Sequence, residues 1–149
     1  MDIINFVQVS EKIASSGQPS ESDFEKIAKL GYQTIINLAL ITSDSAIPTE
    51  GNIVTDLGMS YVHIPVQWES PTLAQFRLFS AIMSEHANLK VWVHCALNMR
   101  VSAFIYIYNK LYLGVPDEQA SQKLKAVWQP NAIWEQFIET VQAQTMNKT

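Results

Sequence analysis

The sequence predicts an α/β fold with a mainly parallel central sheet of four to five strands and helices on both faces. Two observations lead to this prediction. Short apolar runs of strand length alternate with longer segments in which apolar residues recur every three or four positions. The run at residues 32–40 is almost continuously apolar, as expected for a parallel strand that is covered on both faces.

The first predicted elements are a strand at residues 3–9, a loop at residues 14–19 and a helix. The helix begins after Ser20, which can cap it together with Asp23, and Gly31 ends it. The apolar run that follows is the second predicted strand. The chain is therefore expected to begin as strand, loop, helix and strand.

The alternation continues to residue 94, and three helices follow it. The remaining predicted elements are a short helix at 49–57, a strand at 60–66, a helix from Pro71 to about residue 86, a strand at 91–94, a long apolar helix after Arg100, and two helices that open at Pro116 and at Pro130, the last capped by Asn131. In such sheets ligands bind beyond the carboxyl ends of the strands. The loops at that edge are therefore where a site is expected.

Length and composition indicate one domain over residues 1–149. A chain of 149 residues can bury a substantial core but is short for two ordinary domains. Hydrophobic residues make up 48% and charged residues 16%, which excludes a disordered or fibrous chain. The net charge of −4 argues against a nucleic-acid partner, because no basic stripe is available to contact a phosphate backbone.

The cysteine content and the hydropathy of the sequence indicate the cellular compartment in which the protein is expected. A single cysteine cannot form an internal disulfide, so a reducing compartment is expected and the predicted location is cytoplasmic. No apolar run approaches the length of a membrane span, and the first residues lack a signal-peptide pattern, so no membrane partner is expected. Three scattered histidines and one cysteine give no metal-ligand spacing, and we expect neither a metal nor a cofactor.

Cys95 and Arg100 share the loop between the last predicted strand and the long apolar helix. Loop amides and the first helical turn point at one spot, which attracts an anion such as a thiolate or a phosphate. A cation at a helix start is unfavourable unless an anion also binds there. We therefore predict that Cys95 is ionised and nucleophilic at neutral pH. The alternative is a buried cysteine that acts as a small hydrophobe.

Four short motifs in this order resemble the protein tyrosine and dual-specificity phosphatase superfamily. They are His94-Cys95 with the following Arg100, the stretch 16–19 (Ser-Gly-Gln-Pro), the stretch 36–38 (Ile-Asn-Leu), and the strand at 61–66. More narrowly, they resemble a small bacterial branch of β-lactamase hydrolase-like, phosphatase-like domains, which occur alone or fused to metallo-β-lactamase-fold hydrolases. The likeness runs from about residue 7 to residue 137.

The resemblance implies a phosphoester substrate, either a small molecule or a protein, and a role for each residue of the loop. Cys95 would attack phosphorus to form a thiophosphate, and Arg100 would clamp two oxygens of the transferred group. His94 would orient the loop and help to keep Cys95 ionised. Backbone amides would cradle the other oxygens of the bound phosphate or sulfate, and they belong to Ala96, Leu97, Asn98, Met99 and Arg100.

Residues on neighbouring loops complete the predicted site. Gln18 could donate to the phosphate or position water, although a solvated loop glutamine is the plainer interpretation. Trp68 stands where the family has its acidic residue, so we nominate Glu69 as the general acid; its alternative role is to cap the helix behind Pro71. Trp68 and Leu97 could form an apolar rim that selects an aromatic or hydrophobic ester.

The loop departs from the phosphatase signature. Four residues, none of them glycine, separate Cys95 from Arg100, where the signature has five; Asn98 is the residue best able to supply a left-handed backbone position. A four-residue spacing is that of rhodanese-like sulfurtransferases, in which the cysteine carries a persulfide. Two alternatives thus stay open beside the phosphatase: sulfur transfer through a Cys95 persulfide, and a non-catalytic module that binds an oxyanion.

Overall fold

The computed structural model describes residues 2–146, which form five strands and six helices. The strands are β1 (Val7–Gln8), β2 (Ile13–Ser16), β3 (Thr34–Asn37), β4 (Ser60–His63) and β5 (Val91–His94). The helices are α1 (Glu21–Lys29), α2 (Glu50–Asp56), α3 (Leu73–Glu85), α4 (Met99–Leu111), α5 (Asp117–Lys125) and α6 (Ala132–Met146). The strand order across the sheet is β1-β2-β5-β3-β4, and only β1 is antiparallel to its neighbour. The predicted α/β fold with a mainly parallel sheet is confirmed.

The prediction for the first strand was wrong. Residues 3–9 contribute only the short edge strand β1, and the segment expected to be a loop contains β2, whose four residues are all buried. The small residues that suggested a turn are tolerated inside the sheet because their hydroxyls are paired. Ser16 Oγ accepts a hydrogen bond from Trp92 Nε1 at 2.8 Å, and Ser15 Oγ accepts one from Asn98 Nδ2 at 3.0 Å.

The start of α3 also differs from its prediction. Pro71 precedes the cap instead of opening the helix, and Thr72 forms a capping box with Gln75. The predicted caps of the first and last helices are confirmed, because Ser20 and Asp23 form a capping box and Asn131 Oδ1 accepts from the Trp134 amide at 3.0 Å. No helix within residues 2–146 is long and apolar enough to cross a bilayer.

The central strand β5 brings the loops of three strands to one edge of the sheet. It lies between β2 and β3, and its last residue, His94, is in register with Ser16 and with Asn37. All three of these residues end their strands, so the segments that follow them start side by side. The predicted gathering of loops beyond the carboxyl ends of the strands is therefore present.

Alternation along β5 directs its side chains into two different cores. Trp92 packs with residues of α1 and α2 on one face, including Phe24 and Ile27. Val93 and Cys95 belong to the larger cluster on the other face, which is built from α3, α4, α5 and α6 around Phe104. Because side chains of a strand point to opposite faces in turn, His94 faces α1 and α2 while Cys95 faces α4.

Gly17 joins the end of β2 to the Cys95 loop, and a side chain does not fit there. A Cβ at this position would lie 2.5 Å from the carbonyl oxygen of Ala96, which is a backbone atom that cannot move independently of the loop. We predict that Gly17→Ala lowers the free energy of unfolding by about 1–3 kcal/mol, the usual cost of overpacking, in a chemical denaturation experiment.

Gly58→Asn is the matched control for this substitution. Gly58 has a φ of +85°, and no neighbouring atom lies within 4 Å of the place that a Cβ would occupy, so asparagine, which tolerates a left-handed backbone better than most residues, meets no steric clash there. We expect a much smaller loss of stability for Gly58→Asn. Equal losses for the two variants would show that close approach to Ala96 does not constrain Gly17.

Candidate active site

The loop after β5 turns its carbonyl groups away from its centre and ties each of them to a neighbour. The acceptors and donors are Cys95 O with His94 Nδ1 at 3.1 Å, Ala96 O with Gln18 N at 3.0 Å, Leu97 O with Asn5 Nδ2 at 3.0 Å, Asn98 O with Ser102 N at 2.9 Å, and Met99 O with Ser102 Oγ at 2.9 Å. Five consecutive carbonyls are thus held outward. This arrangement fixes the loop from outside.

Most amides of the same loop have no such partners. Within residues 2–146, one amide of positions 96–101 is paired with the segment after β2 through the isolated bridge between Gly17 and Leu97, and the other five N–H groups donate no hydrogen bond to another protein group. Buried or half-buried amides are ordinarily paired, so a run of unpaired donors indicates a site for an external acceptor. The five remaining amides, which include those of the first turn of α4, form a cradle suited to an anion.

Asn98 allows the loop to take this shape without a glycine. Its φ is +68°, and its buried side chain donates from Nδ2 to the Asn5 carbonyl at 2.7 Å and to Ser15 Oγ at 3.0 Å. The two hydrogen bonds hold a left-handed conformation that most residues avoid. Asn98 therefore supports the loop from behind and does not line its cavity.

A cavity of about 220 Å³ opens beside the Cys95 loop. Its walls are formed by Trp68, Cys95, Ala96, Leu97, Met99 and Arg100. The Cys95 side chain is buried at its base with 1% exposure. Six of the residues predicted for the site thus meet around one space.

Arg100 lies in the cavity wall and is almost buried, with 8% exposure. It donates from Nη1 to the Val66 carbonyl at 2.9 Å, and this is its one hydrogen bond within the described part of the chain. A guanidinium carries several N–H donors in a planar fork. Most of them therefore remain available for an oxyanion, while the Val66 contact holds the side chain in place.

Trp68 is fixed in the cavity wall by two other tryptophans. Its ring lies 5.3 Å from the ring of Trp128 and 5.9 Å from that of Trp134, and Trp134 Nε1 donates to the Trp68 carbonyl at 2.9 Å. Trp68 and Leu97 remain partly exposed, at 37% and 46%. They give the mouth of the cavity the apolar rim that the sequence suggests.

Besides His94 and Asn98, the predicted site residues Glu69 and Gln18 have their side chains outside this cavity. Glu69 is exposed and lines a separate groove formed with α6, so the walls of the Cys95 cavity contain no carboxylate. Gln18 anchors the loop through its backbone amide, but its Nε2 donates to the Pro19 carbonyl at 3.0 Å and to Glu50 at 2.7 Å. Gln18 therefore contacts the Cys95 loop through its backbone, and its side chain is not part of the cavity wall.

Glu50 is a residue that sequence reasoning missed. It is the first residue of α2 and is only 2% exposed; its Oε2 lies 2.7 Å from His94 Nε2, and its Oε1 accepts from Gln18 Nε2. A glutamate at the start of a short helix looks like a surface residue favoured by the helix dipole. The available signal was His94 itself, because a histidine inside a buried strand requires a polar partner.

The surroundings of Glu50 favour its ionised form. Burial by itself raises the pKa of the Glu50 carboxyl, but hydrogen bonds from His94, Gln18 and Tyr61 and the charge of His94 outweigh it and hold the pKa below its usual value. Burial and the nearby carboxylate in turn raise the pKa of Tyr61, whose hydroxyl accepts from Asn37 Nδ2 at 3.0 Å. The result is a buried polar network behind the Cys95 loop.

Several solved structures that share this fold are described as phosphatases. A protein from Shewanella putrefaciens CN-32 named "Putative phosphatase (DUF442)" is 33% identical, with a TM-score of 0.87 over 97% of this chain and 95% of that chain. The core catalytic domain of the PP-IP phosphatase SIW14 from S. cerevisiae, in complex with citrate, has a TM-score of 0.78 at 19% identity over 99% of this chain and 91% of that chain. The fold is thus that of the tyrosine and dual-specificity phosphatases.

Comparisons of sequence assign the chain to a narrower family than the comparison of folds. A family model described as "PTP-NADK: DSP-PTPase phosphatase fused to NAD+ Kinase" matches residues 5–145, and the chain belongs to this family. It is also 30% identical over 114 residues to a β-lactamase hydrolase-like protein of Xylella fastidiosa (strain Temecula1 / ATCC 700964), which covers 74% of this chain and 26% of that protein. The chain therefore spans about a quarter of the length of this curated relative.

The two functions of Asn98, its left-handed backbone and its side-chain hydrogen bonds, can be separated by mutation. Asn98→Gly keeps the backbone conformation and removes the hydrogen bonds, which should cost about 1–3 kcal/mol of unfolding free energy. Asn98→Ala also imposes a left-handed conformation on alanine, and we expect it to cost about 1 kcal/mol more. Denaturant titration measures both values. An alanine variant as stable as the glycine variant would contradict the importance of the positive φ.

The lowered pKa of Glu50 predicts how stability depends on pH. Because the folded-state pKa lies below the ordinary value of 4.5, the stabilisation by ionised Glu50 is complete above about pH 4.5 and is lost as the pH falls through the folded-state value. The carboxyl-carbon shift of Glu50, followed by NMR as the pH is lowered, measures the folded-state pKa directly. A titration midpoint at or above 4.5 would contradict the lowered pKa of Glu50.

Proposed function

We propose that this chain is a cysteine-dependent phosphatase that hydrolyses a phosphomonoester through a thiophosphate on Cys95, with Arg100 binding the phosphate. The observation that supports this most strongly is the cradle of five unpaired amides within positions 96–101, with every carbonyl from 95 to 99 held outward. Such a cradle matches the oxygens of a tetrahedral oxyanion. The nucleophile and a guanidinium both line the same cavity.

The reaction would proceed in two displacements. The Cys95 thiolate attacks phosphorus, an S–P bond forms, and the ester P–O bond breaks as the alcohol oxygen leaves and takes a proton. Water then attacks the thiophosphate, a P–O bond forms and the S–P bond breaks, which releases inorganic phosphate and restores the thiolate. Arg100 and the amides stabilise the charge on the three oxygens that are not exchanged.

The cavity favours a particular kind of ester. No carboxylate lies among its lining residues, so an ester whose leaving group is a weak base, such as an aryl phosphate, needs the least help in leaving. The rim of Trp68 and Leu97 can pack against an aromatic ring. For Glu69 to act as the general acid, the loop after β4 would have to move its side chain into the cavity. Hydrolysis of an alkyl phosphate, whose leaving group must be protonated, tests this role: Glu69→Gln should then be slower than the wild type.

Hydrolysis of p-nitrophenyl phosphate tests the proposed reaction. We expect Cys95→Ser to reduce the rate by at least about a hundredfold, because a hydroxyl is a far weaker nucleophile than a thiolate at neutral pH. Arg100→Lys should also reduce it strongly, since an ammonium cannot make the bidentate contact.

Arg77→Lys supplies the matched control. Arg77 is the only other arginine of the chain and is exposed on α3, so its substitution should leave the rate unchanged. Wild-type rates in the Cys95→Ser protein would overturn the proposal.

Sulfur transfer is the second candidate, and the same cavity supports it. The ring between Cys95 and Arg100 has four intervening residues, and its apolar walls without a carboxylate suit a persulfide, whose formation needs no general acid. The Cys95 thiolate would attack the outer sulfur of thiosulfate, the S–S bond would break and sulfite would leave. A thiolate or cyanide acceptor would then take the sulfur and restore the Cys95 thiolate.

Thiosulfate and cyanide assayed with the same proteins distinguish the candidates. Formation of thiocyanate that depends on Cys95, with a persulfide on Cys95 detected by mass spectrometry, would favour sulfur transfer. Phosphate release without thiocyanate would favour the phosphatase. If neither product forms while inorganic phosphate binds, the chain is a non-catalytic oxyanion-binding module.

A further inference from the structure

The His94 ring connects a buried carboxylate to the backbone of the nucleophile. His94 is completely buried; its Nε2 lies 2.7 Å from Glu50 Oε2, and its Nδ1 lies 3.1 Å from the Cys95 carbonyl oxygen. Both ring nitrogens therefore face oxygen acceptors. A neutral ring can donate to only one of them, whereas an imidazolium donates to both.

Charge balance in the protein interior favours the same protonation state. An isolated buried carboxylate is unfavourable, so Glu50, at 2% exposure, requires a cation or several donors. Its neutral donor is Gln18, and within the described chain its one ion-pair partner is His94. An imidazolium at His94 compensates this charge directly.

The other groups around the ring do not compete with this pair. From α1 the edge of Phe24 approaches His94 at 6.0 Å between ring centres, and from β4 the hydroxyl of Tyr61 contacts Glu50. From β3, Asn37 contacts Tyr61 and not the ring. Arg100 on α4 lines the cavity on the Cys95 side. Of the titratable groups that face His94, only Glu50 is a carboxylate.

We propose that Glu50 is a positioning residue that keeps His94 as an imidazolium and thereby sets both the shape of the Cys95 loop and the ionisation of Cys95. The ion pair acts as a dipole whose positive end lies against the backbone carbonyl of Cys95, because His94 Nδ1 contacts that oxygen and Glu50 lies on the far side of the ring. This role rests on the nucleophilic Cys95 of the proposed function. It holds for phosphoryl transfer and for sulfur transfer alike.

Glu50→Gln removes the charge and can keep the hydrogen bonds. The new amide can donate to His94 Nε2, and its oxygen can accept from Gln18 and Tyr61. A neutral ring then still donates from Nδ1 to the Cys95 carbonyl. The substitution therefore tests the charge of the pair and leaves the network intact.

Alkylation by iodoacetamide measures the ionisation of Cys95 alone, because the chain contains one cysteine. We expect the midpoint of the rate against pH to rise by about one unit in Glu50→Gln, and the rate at neutral pH to fall up to about tenfold, the size of effect that loss of a neighbouring opposite charge produces. Glu50→Asp keeps the charge and should move the profile less. Asp56→Asn, at an exposed carboxylate of the same helix, should not move it.

A folded Glu50→Gln protein with a wild-type alkylation profile would overturn the proposal. Should that variant not fold, nitrogen NMR of the His94 ring in the wild-type protein decides: two protonated nitrogens at neutral pH support the proposal, and a neutral ring overturns it. These readouts are independent of turnover. A shifted profile in a protein that hydrolyses no phosphate would retain the role of Glu50 and reject the phosphatase function.

Discussion

The candidate site depends on how the carbonyl oxygens of the Cys95 loop are anchored. Leaving a buried or half-buried amide without an acceptor costs roughly 1–3 kcal/mol, so the five unpaired amides would relax if the loop were free to turn. Hydrogen bonds hold the carbonyls outward and prevent this; their donors are the Gln18 amide, Asn5 and Ser102. The stability of the β-sheet and of the long buried helix α4 is therefore what keeps the loop open to an anion.

The two faces of the sheet have separate roles at this loop. On one face, α1 and α2 enclose His94 and its buried polar network, and on the other, the start of α4 and Trp68 form the cavity that Cys95 lines. One step along β5 switches between them, since neighbouring side chains of a strand face opposite ways. The proposed electrostatic control and the proposed substrate contact thus belong to different layers, and a change in the cavity rim need not disturb the charges behind it.

Much of the fold could be predicted from the sequence, because apolar periodicity, caps and glycine stops are local signals, as the capping box at Ser20 illustrates. The loop residues around Cys95 could be predicted for the same reason. Ile13–Ser16 could not, because the burial of its serines depends on partners 76 and 83 residues away. Glu50 escaped notice since its pairing with His94 spans 44 residues. Glu69 was nominated from its position next to Trp68 in the sequence. In the structure, packing against two other tryptophans holds the Trp68 ring in the cavity wall, and Glu69 lines a separate groove.

The central claim is that the amides after Cys95 bind an oxyanion. The most direct measurement is the change in backbone amide NMR shifts as inorganic phosphate is added to the wild-type protein. If these amides are the donors, the largest shifts fall on residues 96–101, with a response of the Arg100 side chain, and they saturate together. Shifts that are absent from these residues at saturating phosphate, or that are spread evenly over the surface, would contradict the account.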